Sequence, residues 1–338
     1  MEQKAKWRFG VNRWFILLFI VLNVWAVSMV SPLRPHIQLP AEVLTHDPLF
    51  IFPVINAPVY LTNTLIATLI GDVILLLIGF GVWRAVRSGA MVPRGISGAV
   101  EAFIEVLYNL TEGTAGKWAK RIFPYFATIT LLVLVLNWMG LIPGVDSIGI
   151  FDEHHVATLE VENGEHYTCT YDTVAPGVVA VGGEDNECAA AVVPFVRPTA
   201  TDLNFTLALA LIAVVMVQVT GIQAQGLGYF SKFLNVKTFF SKPVFGVIDF
   251  GVGILEMVSE FSKVLSFAFR LFGNVFAGAV LLFVIGTLVP VFAQSAVLML
   301  EFFVGAIQAI VFGLLTMTFM AQATQSHGGH EEAHEAAH

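Results

Sequence analysis

Long apolar stretches constrain this chain more than any other feature of its sequence. A helix that crosses the hydrocarbon core of a bilayer needs about 20 predominantly apolar residues. Six stretches reach or approach that length: residues 14–31, 60–83, 123–143, 203–222, 245–288 and 291–324. The last two are longer than one vertical crossing requires, so we expect them to tilt, lie partly flat or break. The pattern predicts an all-α polytopic membrane protein.

The composition excludes an ordinary soluble domain. Only 12% of the 338 residues are charged, whereas soluble domains carry about 25%. The net charge of −8 arises from two acid-rich segments, 146–187 and the C-terminal tail, so it indicates no nucleic-acid partner. Membrane lipid is the expected surrounding.

The distribution of Lys and Arg predicts the orientation. Basic residues precede the first stretch and follow the second and the fourth, whereas the acidic segment 145–197 has Arg197 as its one Lys or Arg. Because cytoplasmic loops carry an excess of Lys and Arg, both termini are predicted to be cytoplasmic. Residues 32–59, 145–197 and 289–291 are predicted to be external.

Residues 1–31 allow two interpretations. A basic start, an apolar run and Ala-Val-Ser at 26–28 are typical of a cleaved signal sequence. The length of the run favours an extra N-terminal membrane helix instead. Either way, the orientation of the later stretches is unchanged.

The external segment 145–197 is predicted to be a small β-rich insertion, because polar and β-branched residues alternate between Gly and Pro. It contains both cysteines, Cys169 and Cys188. An oxidising compartment permits a disulfide between them, and two free thiols are the alternative.

The remaining segments divide the rest of the chain. Residues 32–144 hold the first core helices, including an amphipathic helix at about 95–115 that we place at the cytoplasmic interface. Residues 198–325 hold the later core helices. In the tail, 326–338, histidines recur at helical spacing, but a solvated tail is favoured over a metal site.

Charges within the 245–288 stretch are the leading functional candidates, because an Arg costs about 2.5–3.5 kcal/mol at the centre of a membrane helix. Positions 256, 260, 263, 267, 270 and 274 recur at steps of four and three, so they share one helix face. Spacing allows Lys263 to pair with Glu260 or Glu256, but Arg270 has no acid one turn away.

Other interpretations of these residues remain open. Arg270 could be a structural ion-pair partner inside the bundle, and the charges upstream of it could extend to the interface. Glu301 and Gln308 share a face of the last stretch, where Glu301 could simply be solvated. Asn137, Asn204 and Gln218 could line the same interior or join helices by hydrogen bonds.

Five blocks of sequence carry a resemblance to a known family. In order they are SGAMVPRGISGAVEAFIEVL, NWMGLIPG, RPTATDLNFTLALAL, LEMVSEFSKVLSFAFRLFGN and IQAIVFGLLTMTFMA. Over residues 55–325 the chain closely resembles subunit a of F-type ATP synthases.

The resemblance implies a fold and a set of partners. The two long helices near the C-terminus would form a strongly tilted hairpin against a rotating ring of c subunits. The chain would be a non-catalytic stator and proton channel, without a cofactor. Its other partners would be b-type peripheral stalk subunits and the remaining ATP synthase subunits, in a bacterial plasma membrane.

The resemblance also implies residue roles. Arg270 would face the ring carboxyl groups and separate two half-channels. The outer half-channel would include Asn274, Glu301, Gln308 and Asn137, and the inner one Glu256, Lys263 and Ser266. Two departures, Ala279 and Gly140, stand where relatives carry titratable groups, so Glu301 is predicted to be the sole titrating relay of the outer path.

Two other function classes fit the sequence less well. A stand-alone ion-coupled secondary transporter would need a substrate site at mid-membrane and usually an internal repeat, and the sequence offers neither. An intramembrane hydrolase would need a His or paired acids within the spans, but all 9 His residues lie outside them. The chain has no P-loop, so nucleotide chemistry is expected in other subunits.

Overall fold

The computed structural model describes most of the chain. The described residues are 9–29, 41–45, 47–53, 57–87, 96–142, 145, 148–156, 159–160, 166–167, 190–226, 228–229, 243–289 and 293–325. Cys169, Cys188 and the tail 326–338 lie outside them, so the disulfide and the tail stay predictions.

Helices dominate the described residues. They are α1 (Phe9–Met29), α2 (Asn63–Arg87), α3 (Ile96–Ala115), α4 (Ala119–Met139), α5 (Leu203–Gln225), α6 (Pro243–Leu288) and α7 (Ala293–Ala323).

Within the described ranges, 5 helical segments are long and apolar enough to cross a membrane: Asn63–Arg84, Gly98–Met139, Leu203–Gln225, Phe250–Gly286 and Ala293–Ala323. The predicted mostly helical membrane protein is thereby confirmed. The count of six membrane helices and the tilt of the last two stay predictions.

A glycine divides the segment Gly98–Met139 into two helices. Gly116 has a φ of +50°, which favours glycine, and it begins the 3-10 turn Gly116–Trp118 between α3 and α4. Tyr108 of α3 packs edge-on against Phe123 of α4 with ring centroids 5.1 Å apart. The chain therefore reverses at this turn, and α3 packs back along α4.

Short strands occur before α2 and within the insertion. β1 (Phe50–Phe52) pairs antiparallel with β2 (Ala57–Val59). In the insertion, β3 (Gly149–Val156) pairs antiparallel with β6 (Ala190–Pro194), and β4 (Leu159–Glu160) with β5 (His166–Tyr167). Much of the segment between these strands lies outside the described residues, so its β-rich character as a whole stays a prediction.

The chain forms two compact units. The first comprises Met1–Asn63, Leu141–Arg197 and Phe276–Phe303, and the second comprises Thr64–Gly140, Pro198–Val275 and Val304–His338. Helices α6 and α7 each contribute residues to both units.

The start of α5 is held by a buried carboxylate in the second unit. Asp202 caps the helix by accepting a hydrogen bond from the Asn204 backbone N–H at 2.9 Å, and Thr64 at the start of α2 donates its hydroxyl to Asp202 at 3.1 Å. Such a cap satisfies a backbone donor that the helix itself leaves unpaired. The first turns of α2 and α5 are therefore tied together.

The core of the second unit is apolar and joins α4, α5, α6 and α7. Buried side chains from these helices include Val133, Leu209, Leu271 and Phe312. Outside this core, large apolar side chains such as Leu76 are exposed. An exposed apolar surface of this extent suits a lipid environment rather than water.

Small residues let α4 and α7 approach closely. A Cβ on Gly305 would lie 3.2 Å from Asn137 Cβ, and a Cβ on Gly313 would overlap the Thr130 hydroxyl and lie 2.9 Å from the Phe126 ring. Later positions on α7 therefore face earlier positions on α4, so the two helices run antiparallel. The spacing Gly305, Ala309, Gly313 is the small-residue pattern of closely packed membrane helices.

We expect Gly313→Ala to lower the thermal stability of the protein in detergent. The added methyl group has no room, and overpacking typically costs about 1–3 kcal/mol. The control is Gly79→Ala on α2, since a Cβ there meets nothing within 4 Å. Unfolding midpoints that do not differ between the two variants would contradict the close packing of α4 and α7.

Candidate functional site

The polar residues of α6 lie within one continuous helix. Glu256, Glu260, Lys263, Arg270 and Asn274 all fall within Pro243–Leu288, so their spacing places them on one helix face. Their environments differ along that face. Glu260 is buried, Glu256 and Lys263 are half-buried, and Arg270 and Asn274 are exposed.

Arg270 carries an exposed guanidinium group. Its Nη2 donates a hydrogen bond to Ser266 Oγ at 3.2 Å, one turn earlier on the same helix. Among the residues that the structure describes, Arg270 forms no ion pair. A structural ion pair within this part of the chain is therefore not observed, and the guanidinium is accessible to an anionic group of another molecule.

Asn274 joins α6 to α7 in the second unit. Its Nδ2 donates a hydrogen bond to Gln308 Oε1 at 2.6 Å. Gln308 is only 4% exposed, and its Nε2 has no hydrogen-bond partner among the described residues. A buried amide donor without a partner costs about 1–3 kcal/mol, unless water or another polar group reaches it.

Asn137 of α4 bonds to α7 at Gly305, about one turn before Gln308. Its Nδ2 donates to the Gly305 carbonyl oxygen at 3.2 Å, whereas its buried Oδ1 has no partner in the described part of the chain. The structure thus brings Asn137, Gln308 and Asn274 to the same stretch of α7, and leaves one amide donor and one amide acceptor available.

Lys263 pairs with Glu260 rather than with Glu256. Its Nζ lies 2.8 Å from Glu260 Oε1, and Gln218 of α5 donates to Glu260 Oε2 at 3.0 Å. Glu260 is 8% exposed, so its carboxylate is buried among the packed helices. Of the two pairings that spacing allowed, the structure forms the one with Glu260.

Glu301 lies in the first unit, beside Gly278. A Cβ at position 278 would overlap the Glu301 carboxyl group, so this side chain rests against the backbone of α6. Glu301 is half-buried. Residue 278 has to be glycine for the carboxylate to occupy this position.

Sequence reasoning missed the roles of the two glycines and the partner of Glu260. Gly278 and Gly305 provide room for Glu301 and Asn137. The small-residue spacing along α7 could have indicated Gly305, whereas Gly278 has no small residue three or four positions away on α6. Gln218 was predicted to line the interior between the helices or to join helices by a hydrogen bond, but single-helix periodicity could not indicate that its partner is Glu260.

The chain is similar to known proteins over most of its length. Residues 65–321, which are more than half of the chain, match the family model described as ATP synthase A chain. ATP synthase subunit a of Campylobacter jejuni is 30% identical over 249 residues, covering 73% of this chain and 84% of the relative. ATP synthase subunit a of Moorella thermoacetica is 27% identical over 286 residues, covering 84% and 100% respectively.

We expect Asn274→Leu to lower the unfolding midpoint more than the double change Asn274→Leu with Gln308→Leu. The single change leaves the buried Gln308 amide without its partner, at about 1–3 kcal/mol, whereas the double change removes both polar groups. Thermal unfolding of the two single variants and the double variant measures the coupling. Strictly additive effects would contradict the hydrogen bond between the two amides.

Proposed function

This chain belongs to the ATP synthase A chain family, and from that premise we propose that it is the proton-translocating stator subunit of a rotary F-type ATP synthase. Family membership makes it a multi-pass membrane component of a multi-subunit complex, which disfavours a stand-alone transporter. The observation that carries the proposal is the exposed guanidinium of Arg270, without an ion pair among the described residues. Its proposed counter-ions are carboxylates on a ring of c subunits.

The chemistry of Arg270 follows from electrostatics in an apolar medium. A nearby cation favours the ionised form of a carboxyl group, so a protonated ring carboxyl that reaches Arg270 releases its proton. A carboxylate that leaves Arg270 must be neutralised before it enters lipid. Arginine keeps its own charge when buried, whereas lysine can lose it. Arg270 therefore also bars direct proton passage between the two access paths.

The outer half-channel is proposed to include Asn274, Gln308, Asn137 and Glu301. Gln308 Nε2 and Asn137 Oδ1, which have no hydrogen-bond partner among the described residues, support this because they can bond to water along a proton path. Glu301 is included in this half-channel because of the family resemblance, and it is the proposed titrating relay.

The inner half-channel is proposed to include Glu256, Lys263 and Ser266. Ser266 supports this placement, because its hydroxyl accepts the hydrogen bond from Arg270. A proton that crosses both paths falls through the membrane potential and releases roughly 2.3 kcal/mol per 100 mV. That energy would drive rotation of the ring.

The complex is proposed to lie in a bacterial plasma membrane with both termini of this chain cytoplasmic. The bacterial relatives and the distribution of Lys and Arg support that location. The b-type peripheral stalk and the remaining ATP synthase subunits complete the proposed partners.

We expect Arg270→Ala to abolish ATP-driven proton pumping by the assembled complex in membrane vesicles. Without the cation, a ring carboxyl is no longer induced to release its proton, and passive leak is expected to rise or stay unchanged. The matched control is Arg87→Ala at the end of α2, where Arg87 stacks on the Trp83 ring at 5.2 Å. Pumping by Arg270→Ala at the level of the control would refute the proposed function.

We expect Glu301→Gln to reduce proton flux by roughly two orders of magnitude, the scale for loss of a side chain that transfers protons. Glutamine keeps the size of the side chain but cannot exchange a proton. Glu101→Gln, an exposed acid on α3, is the control. Passive proton flux through complexes depleted of their soluble catalytic sector is the measurement, and nearly normal flux would sink the idea that Glu301 is the relay.

A further inference from the structure

Gln218 of α5 and Glu260 of α6 have no role in the proposed half-channels, yet both belong to a cluster around Lys263. Gln218, Glu260 and Lys263 form a chain of contacts: the amide donates to one carboxylate oxygen at 3.0 Å, and the ammonium binds the other at 2.8 Å. Lys263 Nζ also lies 4.7 Å from the centroid of the Phe319 ring on α7. A carboxylate and an aromatic face thus hold the lysine charge.

The cluster is largely buried within the second unit. The whole Glu260 residue is 8% exposed. The exposed fractions of the side chains alone are 22% for Lys263 and 10% for Glu260. Removing one partner from a buried ion pair leaves the other charge uncompensated in an apolar medium, which is costly. Each member of the cluster therefore depends on the others.

The position of the cluster relative to Arg270 suggests its purpose. Lys263 and Arg270 share one face of α6, and seven residues correspond to roughly 10 Å along a helix. At about 10 Å and an effective dielectric constant of about 20, the interaction energy of two unit charges corresponds to about a tenfold change in a rate constant. An uncompensated Lys263 would thus attract the same carboxylates as Arg270.

We propose that Gln218 and Glu260 are positioning residues that hold Lys263 as a compensated charge, so that Lys263 does not compete with Arg270 for carboxylates of a partner subunit. This inference rests on the proposed function. Glu260 supplies the opposite charge, and Gln218 fixes the carboxylate by bridging from α5. The arrangement separates two cations on one helix face into one that is internally paired and one that remains available to a partner.

The competing explanation is that Glu260 itself relays protons. The two explanations differ in what the protein needs at position 260. Charge compensation needs a negative charge near Lys263, on either helix. A relay needs an exchangeable carboxyl group at position 260 itself.

An exchange of acid and amide between the two helices separates these explanations. We expect Glu260→Gln to lower ATP-driven proton pumping per assembled complex about tenfold, the scale of one uncompensated charge at this distance. The double variant Glu260→Gln with Gln218→Glu returns the charge to the same contact from α5 and should restore pumping to within about twofold of the unmodified complex. Lys263 is untouched in both.

The matched control is Glu260→Gln with Gln223→Glu, because Gln223 is exposed on the same helix. This control adds an acid away from the contact and should not restore pumping. If Glu260→Gln reduces the amount of assembled complex, we expect Gln218→Glu to restore that amount and Gln223→Glu to leave it reduced. Full pumping by Glu260→Gln, no rescue by Gln218→Glu, or equal rescue by Gln223→Glu would each overturn the inference.

Arg270→Ala is measured beside these variants. If Arg270→Ala pumps normally, the proposed function itself fails. If Arg270→Ala is inactive and the exchange gives no rescue, only the inference about Gln218 and Glu260 fails.

Discussion

The free energy of placing a charge in an apolar medium governs how this molecule is organised. The helices present large apolar side chains outward, so any polar side chain within them must find a partner, reach water or serve another molecule. Within the described residues, Asp202, Glu260 and Asn274 bond to side chains of other helices, which are α2, α5 and α7 respectively. Arg270 is exposed and forms no ion pair in the same part of the chain, which is why it dominates the functional argument.

Close helix packing determines which of these partnerships can form. Asn137 reaches a backbone carbonyl on α7 because Gly305 allows the two helices to approach, and Glu301 lies against α6 because Gly278 has no side chain. A glycine beside a polar residue therefore acts as part of the site without any chemistry of its own. The same small residues that pack membrane helices also position their polar groups.

The two cations on the face of α6 show how context separates chemically similar groups. Lys263 is held by Glu260 and an aromatic ring, whereas the Arg270 guanidinium donates to the Ser266 hydroxyl and forms no ion pair among the described residues. One cation is thus compensated within the second unit, and the other is exposed. This division fits the proposed function, in which Arg270 would face the carboxylates of a partner subunit.

The sequence alone determined the membrane class, the helical fold, the face shared by Glu256 through Asn274, and the candidate residues, because hydropathy and helical period are local properties. Only the tertiary structure decided that Lys263 pairs with Glu260, that Gln218 reaches Glu260 from α5, and that Asn274 bonds to Gln308. It also revealed the reversal at Gly116, which divides an apolar segment into two packed helices. The contacts of Gln218 and Asn274 depend on which helices pack against each other, and no periodicity within one helix can reveal that.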